Sequence, residues 1–345
     1  MLPITFDPEK SYEVYKLTQR HLEDNPAIYE EIYELLWTYH ALTDIIPQTT
    51  TNLWSGHYFP MLESWEEIQI SYNLVCFGLY KQAMGSLRSG LELGLLSVYY
   101  NINDEGHKTV QKWLSSHDSK EANTPRAQEV WKIISANENI AEFQKSFDLR
   151  QRFFDLGYLH NYVHTKGHKY SNNLGQMKSN FQTFETKGLK LWSETLQEVL
   201  VLIATLHILK YPMSLVEYDY SKKFGIHIPS FPHLQQLPRE RLKKMFQHNY
   251  FEKLKSISKN DNETKSFIDW IESHPDLTEE DIEKQIVDAD KSMIENQGIE
   301  DYKRRQLLLY QSESIEDLPD KTKNRVLMLE EWATENNYLK PKWER

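Results

Sequence analysis

The chain of 345 residues carries 51 acidic against 40 basic side chains, a formal net charge of −11, which excludes a protein that coats nucleic acid through bulk positive potential. With 39% hydrophobic and 12% aromatic residues, it holds too much apolar material for a disordered chain. Twelve Gly, 13 Pro and a single Cys leave little turn chemistry for a β-sandwich, no intramolecular disulfide and no cysteine-rich zinc module, so the expected fold class is all-α.

The N-terminal residues show no basic start followed by an apolar core, and the longest apolar run, Glu198–Tyr211, falls short of the roughly 20 residues that span a bilayer. A cytoplasmic protein without a membrane segment is expected. Before Glu23 the pattern is weak, although Tyr12, Val14, Tyr15 and Leu17 suit a short helix. The first clear helix starts at Asn25-Pro26, a capping residue followed by a proline tolerated at the first helical position. Its stripe is Ile28, Ile32, Leu35 and Leu36.

Thr49–Gly56 reads as a loop, and Pro60–Tyr100 as one helix of about 40 residues, bent or closely packed at Gly78, Gly85, Gly90 and Gly94. Cys76, inside the apolar run Tyr72–Tyr80, reads as a small buried hydrophobe. Asn101–Ala141 looks like an insertion with short helices near 108–116 and 125–136. A second long helix is expected over 140–165, stopped by Gly167. A loop over 170–180 leads to a third, Phe184–Lys210, apolar over most of its circumference and ended by Pro212. The architecture expected is a four-helix-type bundle with its core in 26–211, an inserted helical segment and additional C-terminal helices.

A domain boundary is placed between residues 218 and 219, with 219–345 forming a small adaptor domain. Its helices are expected over 238–259, 263–273, 278–297 and 320–336. The stretch Ser221–Lys259 is basic and Asp261–Glu300 acidic, so charge is segregated along the chain.

The stretch with the most deliberate chemistry is Leu149–Gly167, in which His160 and His164, with His168 just beyond, recur every four residues. Two long helices separated by an insertion, the second ending in Tyr158–Gly167 and followed by a very apolar helix, resemble the HEPN superfamily (higher eukaryotes and prokaryotes nucleotide-binding). The resemblance covers residues 60–211. It implies a helical bundle, a homodimer or a complex with a protein partner, and a metal-independent endoribonuclease of a prokaryotic defence or toxin-type system, acting on RNA or a nucleotide. The family motif is an arginine, a polar residue, three variable positions and a histidine. His164 matches the histidine and His160 the polar position, while Leu159 stands where the arginine is expected.

Arg152 cannot replace that arginine, because eight residues of helix rise about 12 Å. Arg88 and Glu92, four apart within an apolar stretch, are the better candidates, since facing helices would bring Arg88 toward His164. In this composite site His164 acts as acid or base toward an RNA 2′-hydroxyl, Arg88 stabilises phosphate charge, and Asn161 or His160 orients the substrate. The alternative is a non-catalytic HEPN-like scaffold that assembles with a partner. There Arg88 and Glu92 form a buried ion pair, and His164 secures its helix end.

His160, His164 and His168, completed by Asp155 or Glu185, have the outline of a metal set. Only the first two share a reliable helix, so no metal is expected, and without a phosphate-loop, nucleophile-elbow or zinc motif no cofactor either. Arg239, Arg241, Lys243 and Lys244 form a candidate nucleic-acid contact, with Phe246, His248 and Tyr250 nearby for stacking.

Overall fold

A computed structural model describes residues 7–104, 107–115, 124–172, 182–229 and 231–344. Among these the regular structure is entirely helical. The chain start, Ser116 of the expected helix 108–116, and positions 173–180 of the expected loop lie outside the described residues.

The weakly patterned N-terminus forms a full helix, α1 (Pro8–Asp24), capped by Asp7 and burying Ser11, Val14, Thr18 and Leu22. Its inward positions include two hydroxyls, which hid the stripe. Thr18 Oγ1 donates to the Cys76 carbonyl at 3.1 Å, so those polar positions cost little in the core. α2 (Pro26–Ala41) begins where Pro26 sets the helical φ, and the short α3 (Thr50–Ser55) is capped by Thr49.

The single helix expected over 60–100 is a hairpin of two, α4 (Phe59–Cys76) and α5 (Tyr80–Asn103). Gly78, at φ +74°, makes the break, and a Cβ there would lie 2.9 Å from Val14 and 3.0 Å from the Thr183 carbonyl. The helices run antiparallel. Ser71 Oγ donates to the Ala83 carbonyl at 2.7 Å and Ser64 Oγ to the Gly90 carbonyl at 2.6 Å. Gly90 and Gly94 permit close approach: an added Cβ would meet Ile68 of α4 at 2.8 Å, or Ile203 of the later apolar helix at 2.7 Å.

Three short helices follow, α6 (Lys108–Leu114), α7 (Ala127–Ile134) and α8 (Glu138–Gln144). The helix expected over 140–165 is also divided, into α8, α9 (Leu149–Asp155) and α10 (Leu159–His164), with a tight 3-10 turn at Leu156–Tyr158. Asp148 explains the first break, since its carboxylate accepts the Gln151 amide at 2.8 Å and opens a new helix. α11 (Thr186–Lys210) meets the expectation, burying Trp192, Leu196, Leu200, Ile203 and Leu206. α5 is the hub, with α4, α7, α10 and α11 packed against it.

Beyond α11 come α12 (Ser221–Phe224), α13 (Gln236–Met245), α14 (His248–Asn260), α15 (Asn262–Glu272), α16 (Glu279–Gln297), α17 (Ile299–Tyr310) and α18 (Asp320–Glu335). The helix expected over 238–259 is thus two, and α17 was not expected at all. The chain divides into two compact units, one of Met1–Glu217 with Ser230–Phe267, the other of Tyr218–Pro229 with Ile268–Arg345. The division therefore differs from a boundary at 218/219, because α13 packs on α2, and α14 on α8 and α11.

In the second unit α16, α17 and α18 enclose a core of Ile294, Ile299, Tyr302, Val326, Leu329 and Ala333. Thr278 and Asp281 form a capping box at the start of α16. Tyr302 donates to Asp290 at 2.8 Å, and Arg325 Nε lies 3.1 Å from the same carboxylate.

Candidate functional site

α10 lies antiparallel along α5. Lys81 Nζ donates to Thr165 Oγ1 at 2.7 Å, and a Cβ at Gly85 would touch Val163 at 3.8 Å. This pairing carries Arg88 and Glu92, further along α5, to the start of α10, where His160 stands. Arg88 Nε donates to Glu92 Oε1 at 2.9 Å. The pair is not buried, contrary to the structural alternative: its side chains are 23% and 49% exposed, so it contributes no more than about 0.5 kcal/mol.

The His160 and His164 rings lie 4.0 Å apart. Loss of hydration, then the neighbouring His164, then the positive charges of Arg88 and Lys166 push the His160 imidazole below its usual range, while Glu92 opposes them. His160 is therefore neutral at neutral pH and able to accept a proton. His164 is exposed and Asn161 half-buried on the same turn.

Leu159 is 1% exposed and belongs to the core, which gives a physical reason for an apolar residue at the motif's arginine position. Arg152 faces elsewhere, over the Tyr250 ring at 5.1 Å. His168 does not join the other two histidines. Thr165, at φ +46°, ends α10, and His168 opens a separate 3-10 turn after Gly167. Among the described residues no three His, Cys, Asp or Glu side chains gather as a metal-binding group, Asp155 and Glu185 included.

The four basic residues of α13 do not form one surface. Arg239 donates to the Val216 carbonyl at 3.2 Å. Arg241 lies over the rings of Tyr33 and Trp37, 6.0 and 5.5 Å from their centres, with Nε 3.1 Å from Glu34 Oε2. Lys243 and Lys244 remain exposed. Of the expected stacking residues, Phe246 and Tyr250 are buried in the core.

Two groupings escaped the sequence. The first is a cluster of buried His57 and Asp104 with half-buried His107. The two imidazoles stack at 3.9 Å, and His57 Nε2 lies 3.7 Å from Asp104 Oδ2, near enough for an ion pair and too long for a hydrogen bond. Burial and then His107 lower the His57 pKa. Burial raises that of Asp104, but the amides of Thr109 and Val110, the Thr109 hydroxyl and His57 together outweigh it. Asp104 and His107 share one turn, but His57 lies almost fifty residues earlier, so the spacing did not announce the set. The second is a row of exposed rings on α2, Tyr29, Tyr33 and Trp37, each within 6.1 Å of the next and continued by His40 and Trp65. Their four-residue spacing was readable, but the inward stripe drew the attention.

Among the described residues of the first unit are three clefts that the α5/α10 site residues do not line. One of about 250 Å³ lies beside Tyr211, Phe231 and Thr264. The others, of about 330 and 290 Å³, flank α2.

Fold and site together define an all-α helical bundle with an exposed arginine-histidine face, and none of its described helices is long and apolar enough to cross a membrane. Comparison with known proteins returned no matching family model, no matching curated protein and no matching solved structure.

Proposed function

We propose that the protein is a HEPN-like, metal-independent endoribonuclease, cytoplasmic and dimeric, working in a prokaryotic defence or toxin-type system. One observation carries the reading: α10 runs antiparallel along α5, with Lys81 bonded to Thr165 and Gly85 beside Val163, which brings Arg88 to the turn that holds the paired rings of His160 and His164. A neutral imidazole beside a fixed guanidinium suits transfer at a phosphodiester. His160 takes the proton of a 2′-hydroxyl, and the freed oxygen attacks phosphorus. The bond to the 5′-oxygen breaks, and His164, as general acid, gives a proton to that leaving oxygen. Arg88 balances the phosphate charge, Asn161 orients the ribose, and the products are a 2′,3′-cyclic phosphate and a 5′-hydroxyl.

Labelled RNA incubated with the full chain in excess chelator tests this. Cleavage is expected in the wild type and in Ser89→Ala, with losses of about a hundredfold or more in Arg88→Ala, His160→Ala and His164→Ala. Absence of cleavage on varied RNAs, or activity indifferent to all three changes, refutes it. Glu92 occupying Arg88 at 2.9 Å favours a second reading, a non-catalytic HEPN-like scaffold, for which retained partner binding without cleavage is the expected result.

A further inference from the structure

The exposed ring row of α2 runs beside an acid-lined cleft of about 330 Å³ to which Glu30, Glu31 and Glu34 contribute. One position in this arrangement is already filled. Arg241 of α13 lies over Tyr33 and Trp37 and pairs with Glu34, the combination of aromatic face and carboxylate that suits a planar guanidinium. One turn toward the start of α2 the combination repeats, as Tyr29 with Glu30 and Glu31. These two carboxylates are exposed and have no ion-pair partner among the described residues.

Two further observations point to an occupant. Thr38 lines the cleft and is 1% exposed, yet its hydroxyl has no hydrogen-bond partner among the described residues, an omission a bound polar group would repair. On the opposite flank of the ring row, Trp37, His40 and Trp65 wall a second cleft of about 290 Å³. Exposed tryptophan and tyrosine in such numbers mark an interface.

We propose that this face of α2 is a docking surface for an arginine-bearing basic segment of a partner protein. Its arginines stack on Tyr29, where they pair with Glu30 and Glu31, and on the part of Trp37 that Arg241 leaves exposed at the second cleft, extending the pattern that Arg241 sets from within the chain. Lys244 also lines the cleft, but three carboxylates outnumber it and Arg241 together, so the site favours a cation. The same carboxylates repel phosphate, which argues against a nucleic-acid strand stacking on the rings. The surface does not depend on the cleavage reading.

The test is fluorescence anisotropy of a labelled peptide of alternating arginine and alanine, titrated with the full chain. Binding is expected to weaken with salt, and to be several-fold weaker for the lysine counterpart, which lacks the planar stacking group. It is expected to fall about tenfold in Trp37→Ala and in the double variant Glu30→Gln, Glu31→Gln. These side chains are exposed, so circular dichroism should be unchanged, and Trp54→Ala, at another exposed tryptophan, should bind normally. Affinity unaffected by these changes, or no binding at all, overturns the proposal. So does an oligouridine probe that binds more tightly and loses affinity in the same variants. A dimer that Trp37→Ala converts to monomer in sedimentation assigns the surface to a second copy instead, and overturns it as well.

Discussion

His207 is buried in α11 at 1% exposure and is satisfied without charge. Nδ1–H donates to the Ile203 carbonyl at 2.9 Å, and Nε2 accepts from Ser97 at 3.2 Å. Burial lowers its pKa from 6.5 to about 4, partly offset by the Ile203 carbonyl. In the unfolded chain the imidazole titrates normally, so between about pH 6.5 and pH 4 the unfolded state binds the extra proton and stability falls as pH falls. Each tenfold step in proton affinity is about 1.4 kcal/mol, so this one side chain removes about 3 kcal/mol across that window. Urea unfolding of the wild type and of His207→Gln, followed by circular dichroism from about pH 7 to about pH 4, isolates the effect. His57, lowered in the same direction, and the carboxylates contribute to both proteins and cancel in the difference. The variant should be less stable near pH 7 and lose about 3 kcal/mol less on acidification. Parallel pH profiles would refute the assignment of a neutral buried His207.

Other outcomes follow from the same geometry. In NMR titration His160 should titrate below the ordinary imidazole range, rising in His164→Asn and by less in Arg88→Gln, and falling further in Glu92→Gln; an unmoved His160 would separate the two helices electrostatically. Gly78→Ala should lower stability by about 1–2 kcal/mol or more, because φ +74° leaves Cβ against Val14 and the Thr183 carbonyl; an unchanged urea midpoint would contradict the break assigned to that residue. Arg325→Ala leaves Asp290 buried without its cation and should destabilise the second unit by about 3 kcal/mol, visible as an earlier transition in Trp332 fluorescence.

Helices bounded by proline were legible in the sequence. Pro26 and Pro212 bracket α2 and α11, whose apolar residues keep a helical period up to those limits. The break between α4 and α5 was not, because the apolar run passes through Gly78 unchanged and only the positive φ reveals a turn. α17 was missed for the opposite reason: Leu308 and Leu309 are 71% and 73% exposed, so the apolar run at its end blurs the inward face that Ile299 and Tyr302 supply. At the candidate site the Arg88–Glu92 spacing was visible, but its half-exposure was not. The commitment of Arg241 to α2 was also hidden, because a basic run carries no sign of which members are claimed by rings two hundred residues away.

The serines of α4 bear on how the chain finds this structure. Their bonds to α5 span only 26 and 12 residues, and contacts this local close early in folding. Ser64 and Ser71 also receive the Tyr39 hydroxyl and the Trp192 indole, at 2.5 and 2.8 Å. A hairpin one turn out of step takes Ser64 away from Gly90, the position whose missing side chain lets the two helices approach, and breaks the bonds of both buried hydroxyls. Because the Tyr39 and Trp192 rings bond to the same two hydroxyls, the register of the hairpin and the seating of α2 and α11 on it are set by one pair of serines.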